Sequence, residues 1–167
     1  MMAKTTAGYS KAILKIVYER LTGETPDDFK GAYMDRGNEL EPEGLQLYSD
    51  KTFYTIDRVG FIERDEWAGC SPDGLIGSDG MVQVKCPAFN TMINYLLTRS
   101  VPGDYYWQIQ GEMMIAERKW SDFMAYHPKL PPVIVRMFAD ASAQARLNQE
   151  IKIGQIEAER ILNKLKF

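Results

Sequence analysis

The spacing of apolar residues changes near residue 53, and that change restricts the chain to a mixed α/β architecture. Before it, Ile13, Leu14, Ile16, Val17 and Leu21 fall at helical spacing between Tyr9 and Thr22, with Ser10 as a cap and Gly23 as a stop. Ala32 to Asp50 reads as a second helix through Leu40, Leu45 and Leu47. Pro42 lacks an N–H, so it belongs in a first turn or at a kink. From Phe53 to Ile62 aromatic and β-branched residues take over and predict a strand. Short strands are expected at Trp67 to Ser71 and at Leu75–Ile76. A hairpin loop at Gly77-Ser78-Asp79-Gly80 then leads into a strand from Met81 to Cys86, which Pro87 ends. Phe89 to Leu97 and Tyr105 to Glu117 predict helices, and Lys119 to Tyr126 and Val133 to Phe138 predict strands. Ala141 to Lys166 is a long amphipathic closing helix. The expected fold is therefore an α/β sandwich with a central mixed sheet flanked by helices. No repeat or linker-like stretch interrupts residues 1–167, so a single domain is expected.

Composition removes several function classes. Hydrophobic residues at 45% and charged residues at 26% describe a globular chain rather than a disordered one. Cys70 and Cys86 make neither a disulfide scaffold nor a zinc cluster, and read as reduced, part-buried thiols. The single histidine, His127, excludes chemistry that needs paired imidazoles and reads as a strand-end residue beside Pro128. Catalysis is thus left to carboxylates, lysine or a metal. No apolar run approaches the roughly 20 residues that span a bilayer, and no signal-peptide pattern opens the chain, so a cytoplasmic protein without a membrane partner is expected. A net charge of −3 argues against a histone-like coat on nucleic acid, but is compatible with Lys and Arg clustered in a groove.

The segment that carries chemistry is Ser71-Pro72-Asp73-Gly74, followed across the hairpin by Gln83-Val84-Lys85. Asp73 lies where a strand gives way to a turn, so its carboxylate projects past the sheet edge. Gln83 and Lys85 are two apart on a strand and share a face. A carboxylate, a second oxygen and an ammonium then converge, with the main-chain carbonyl of Val84 between the last two. Hard divalent cations take such oxygens, which makes Mg²⁺ the natural guest and Mn²⁺ a substitute. A cation polarises a phosphoryl oxygen and acidifies water, while a lysine orients that water and neutralises transition-state charge. Taken singly, Asp73 is an ordinary turn residue and Lys85 a solvated strand lysine. Their common register favours a phosphodiester-hydrolysing site.

This segment resembles the Pro-Asp…(Asp/Glu)-x-Lys nuclease superfamily, and specifically the lambda exonuclease or YqaJ-like viral recombinase family. Arg36-Gly37-Asn38-Glu39-Leu40-Glu41-Pro42 is similar to the family's Gly-x-x-x-Glu-Pro helix. Gly69-Cys70-Ser71-Pro72-Asp73-Gly74-Leu75 and Val84-Lys85-Cys86-Pro87 resemble its core pattern, and Tyr106-Trp107-Gln108-Ile109-Gln110-Gly111-Glu112-Met113 its Gln-x-Gln helix. Lys119 to Phe123 and Tyr126-His127-Pro128 fit its next strand. The resemblance implies a restriction-endonuclease-like fold and an Mg²⁺-dependent exonuclease acting on double-stranded DNA ends, 5′ to 3′. It also implies a ring-shaped homotrimer and a single-strand annealing protein as partner, in the cytoplasm of a bacterial host. On this pattern Glu41, Asp73, Gln83 and the Val84 carbonyl hold the metal, and Lys85 activates water. One of Gln108 and Gln110 contacts the site or the DNA backbone, with Gln108 preferred because the two cannot share one helix face. Arg36, Lys51, Arg58 and Arg99 are candidates for phosphate contacts. Glu41 has a plainer reading as a charge near a helix start. Tyr105, Tyr106 and Trp107 are expected to pack in the core rather than stack on bases.

Two departures from the family pattern stand out. Gln83 occupies the position of an acid; an amide keeps an oxygen and loses a charge, which should weaken cation binding and misplace the reactive water. Either an acid has been replaced to trap an uncleaved complex, the reading preferred here, or the chain is a naturally impaired member, unless Asp79 or Glu41 compensates. Family members also carry an Arg-containing Thr-Ala-Ser segment that engages the 5′ phosphate, of which Thr5-Thr6-Ala7-Gly8 is at best a remnant. Rival readings are a catalytically inactive DNA-binding or assembly module, and an endonuclease or single-strand nuclease of the same superfamily.

Overall fold

The strand Gly80–Lys85 is buried at every residue but its last, and the elements around it explain why. The computed structural model describes residues 7–26 and 32–165, apart from the side chains of residues 7, 32–36 and 38. In chain order the elements are α1 (Ala7–Thr22), α2 (Ala32–Thr52), β1 (Ile62–Asp65), β2 (Ala68–Cys70), β3 (Gly74–Ile76), β4 (Gly80–Lys85), α3 (Phe89–Thr98), α4 (Gly103–Ile115), β5 (Trp120–His127), β6 (Leu130–Phe138) and α5 (Ala141–Lys164). Among the described residues the strands form a four-stranded sheet in the order β3-β4-β5-β6 and a two-stranded ribbon β1-β2. Only β4 and β5 run parallel, and the connection between them carries α3 and α4.

The chain divides into two compact units, Lys30–Ala145 and a smaller one made of residues up to Phe29 with Arg146–Phe167. In the larger unit the alternation of β4 and β5 sorts two cores. Met81, Phe123 and Ala125 join Met92, Ile109 and Met113 from α3 and α4 on one face. Val82, Val84, Met124 and Tyr126 meet Leu45 and Tyr48 of α2 on the other. Gln83 and Lys85, in phase with Met81, therefore face α3 and α4. α2 lies close to the sheet at Gly44, where an added Cβ would sit 2.8 Å from Val84 Cγ1 and 3.3 Å from Tyr126 Cβ. In the smaller unit Ile13, Val17 and Ala158 are buried, and Gly154 leaves room for Ile13. No described helix is long and apolar enough to cross a membrane.

The expected strand from Phe53 to Ile62 is not formed. Phe53 instead closes α2 in the left-handed region (φ 60°), its N–H bonded to the Ser49 carbonyl. Beyond it only Asp57 pairs with the sheet, exchanging both main-chain hydrogen bonds with Leu75. Tyr54 and Ile56 still pack into the α2-side core, so the alternation is real while the ladder has one rung. Pro42 lies in the interior of α2, not in its first turn.

An ion pair with a buried carboxylate and an exposed arginine secures β5 to β6 and α2. Asp122, almost fully buried, accepts two bonds from Arg136 (Nε and Nη2, 2.8 Å each) and one from Tyr48 Oη at 2.6 Å. The guanidinium also lies 3.7 Å from the Trp120 ring centroid. Removing the cation leaves a carboxylate buried without its partner. Arg136→Met should therefore lower unfolding stability by about 3 kcal/mol in urea titrations, against a negligible change for Lys129→Met at an exposed turn position.

Candidate active site

The ladder between β3 and β4 stops at Gly74, which pairs with Val82. Beyond that pair β3 offers the Val84 N–H no ladder partner. The edge of β4 is completed by a side chain instead: Asp73 Oδ2 accepts from the Val84 main-chain N–H at 2.6 Å and from Gln83 Nε2 at 2.8 Å. This is why the carboxylate is both inside the protein and fixed in direction. Burial drives its pKa up to about 6, against the Val84 N–H, Lys85 and Gln83, which favour the charged form; the negative charge of Glu41 adds to the rise.

Lys85 ends β4 half-buried, with Nζ 5.3 Å from the centroid of the Tyr105 ring, and that ring leans on Phe123 with centroids 5.5 Å apart. Tyr105 thus packs as expected and also seats the ammonium. Glu41 is paired with Arg58 (2.9 Å), so this arginine is engaged at the site, and its carboxylate is near enough to act on Asp73.

α4 adds a group to which the sequence pattern assigns no role. Glu112 is buried on the helix facing Gln83 and Lys85, and Gln108 Nε2 donates to its Oε1 at 2.8 Å. Burial pushes its carboxyl up to about 7; Gln108 and Lys85 oppose the rise and Asp73 contributes to it. The signal was available in the four-residue spacing of Gln108 and Glu112, which puts both on one helix face.

Gln110 is not available to DNA. It is fully buried, and its amide joins α4 to the end of β6, donating to the Phe138 carbonyl and accepting from the Asp140 N–H, each at 2.9 Å. Asp79 does not compensate for Gln83 either. It is tied to Lys119 at 2.9 Å, and about 13 Å of extended strand separates it from Gln83. Lys51 and Arg99 are exposed at the C-terminal ends of α2 and α3. The side chain of Arg36, and Thr5 and Thr6, lie outside the described residues. Cys70 is buried and Cys86 half-buried, and neither is in a disulfide.

The donors suit a hard divalent cation. Gln83 Oε1 and Glu112 Oε2 are buried without a hydrogen-bond partner, beside the Asp73 carboxylate. Among the described residues no three His, Cys, Asp or Glu side chains group as ligands, so amide and main-chain oxygens complete any set.

A profile of the YqaJ-like viral recombinase domain matches residues 3–119. The chain belongs to that family. Two solved structures of LHK-Exo, described as an alkaline exonuclease from Laribacter hongkongensis, are each 31% identical to this YqaJ-like domain over 98% of its length and 86% of theirs. Their TM-scores are 0.89, for the complex with dAMP, and 0.88. A phage related exonuclease from Haemophilus somnus 129PT shares the fold at TM-score 0.77 and 15% identity, over 96% of this chain and 85% of the other. No curated protein sequence matches the chain. The YqaJ-like domain is an enzyme of the exonuclease class with the restriction-endonuclease-like α/β fold.

The raised carboxyls set a stability profile. Between about pH 4 and 7 the folded protein holds protons on Asp73 and Glu112 that the unfolded chain has released, so these groups make stability fall as pH rises through that window. In metal-free buffer, Glu112→Gln should gain melting temperature over the parent as pH rises from 5 to 7, with a constant difference above 8. A difference independent of pH in circular-dichroism melts would contradict this assignment.

Proposed function

We propose that this YqaJ-like domain is a divalent-metal-dependent exonuclease that degrades double-stranded DNA from its ends in the 5′ to 3′ direction, in phage-type recombination. The observation that carries the proposal is the Asp73 carboxylate bonded to Gln83 and to the Val84 N–H, with Lys85 two residues along on the same strand face. LHK-Exo has been solved with dAMP, a nucleoside monophosphate of the class that stepwise DNA hydrolysis releases.

Asp73, Gln83 Oε1 and the Val84 carbonyl would hold Mg²⁺ or Mn²⁺, with Glu41 at the margin. When bound, the cation supplies Lewis-acid polarisation of the phosphoryl oxygen and a more acidic water. Lys85 places its ammonium where negative charge develops on the phosphoryl oxygens, and Tyr105 keeps it there. Gln108 holds Glu112 at the edge of the site. Lys51, Arg99 and Arg36 are candidates for phosphates further along the duplex. Resemblance supports a homotrimeric ring around DNA, with a single-strand annealing protein as partner in a bacterial cytoplasm.

Gln83 sets the expected rate. Its amide supplies an oxygen without a charge, and cleavage should be impaired. A second reading has its own observation: the Gln83 Nε2–Asp73 bond satisfies the carboxylate without any cation, as a DNA-binding module that has lost catalysis would need.

Incubating linear duplex with Mg²⁺ separates the two. Gln83→Glu should raise nucleotide release by about 100-fold or more, and adding Asp73→Asn or Lys85→Ala should return it to background. Closed-circular duplex should stay intact. An inactive Gln83→Glu protein that still binds duplex DNA would establish the binding module.

A further inference from the structure

We propose that Glu112 supplies the metal centre with the negative charge that Gln83 lacks, so that the acid of this site stands on α4 rather than on β4. The inference rests on the metal-dependent reading above and concerns which residue charges that centre.

Geometry supports the assignment from both sides of the site. Gln83 and Lys85 face α4 in phase with Met81, whose core is completed by Ile109 and Met113 of that helix. Glu112 stands between Ile109 and Met113 in sequence and is itself buried, at 8% exposure. One oxygen, Oε1, is held by Gln108; the other, Oε2, is buried and has no donor. On the strand, Gln83 is 3% exposed and its amide is fixed by donating to Asp73, which leaves Oε1 buried and unpartnered as well. Two buried acceptors without donors are costly in a folded protein. A hard cation held there with Asp73 would give both a partner.

Charge counting agrees. With an acid at 83 and Asp73, such a site holds two carboxylates beside Lys85. With Gln83, Asp73 and Glu112 hold the same two, and each acts electrostatically on the other. Glu41 is a weaker candidate because Arg58 neutralises it, and Lys119 neutralises Asp79. Moving the charge to the helix preserves attraction for the cation while the strand oxygen at position 83 stays neutral. Metal affinity and catalytic rate are thereby uncoupled.

Calorimetric titration of Mn²⁺ into the full chain at pH 8, without DNA, tests this. The parent should bind one ion, Glu112→Gln should weaken binding by about 10-fold or more, and Gln83→Glu with Glu112→Gln should recover the parental affinity. Parental affinity in Glu112→Gln, or no recovery in the double variant, overturns the inference. Asp73→Asn controls for the reading beneath it: if that variant also binds like the parent, the metal centre itself is wrong. If the parent binds no Mn²⁺ but Gln83→Glu does, the centre stands and Glu112 is excluded. Should Glu112→Gln not melt cooperatively, Gln108→Leu releases the Glu112 carboxylate without removing it. A severalfold loss of Mn²⁺ affinity is then expected, and no loss is equally fatal.

Discussion

The bond from the Val84 N–H to Asp73 Oδ2 is the contact on which the rest of this site depends. An unpaired N–H on a buried central strand needs a partner, and here the partner is a carboxylate rather than another strand. Ending β3 at Gly74 leaves the Val84 N–H without a strand partner. Asp73 then meets a structural need of the sheet and at the same time presents its charge beside Gln83 and Lys85. A bond that the sheet needs is thus made by a carboxylate of the candidate site, and burial holds that carboxyl well above its ordinary pKa.

Around that contact the two faces of β4 divide the work. Val82 and Val84 anchor the strand to α2, where Tyr48, Asp122 and Arg136 form a bonded network. Met81, Gln83 and Lys85 look toward α3 and α4, so polar atoms of the site are set into an otherwise apolar layer. Tyr105 illustrates how that layer serves the site: one ring face packs on Phe123 while the ring carries the Lys85 ammonium.

Much of this was legible from residues alone, because strong local signals coincided with the fold. The hairpin at Gly77–Gly80, the alternation of Met81 to Lys85 and the Pro-Asp-Gly turn all lie within fifteen residues and need no distant partner to be read. Phe53 to Ile62 alternates without forming a strand, because alternation reports which side chains are buried, not whether a neighbouring backbone is there to pair. Glu112 went unassigned for a different reason. A glutamate on an amphipathic helix looks solvated until the strand it faces is known, and β4 is reached only through a crossover. Gln110 shows the reverse error, a polar residue that suggests an exposed contact but is consumed by main-chain groups at the end of β6.

The absence of a side chain at position 44 has a mechanical consequence. Because α2 rests directly on Val84 and Tyr126 there, the spacing between this helix and the strand bearing the lysine is set at that contact. Glu41 sits one turn earlier on the same helix, so its distance from the Asp73 carboxylate is geared to the thickness of that contact. A single methyl introduced at the fulcrum would act as a shim, tilting the acid away while leaving every charged group of the centre chemically intact.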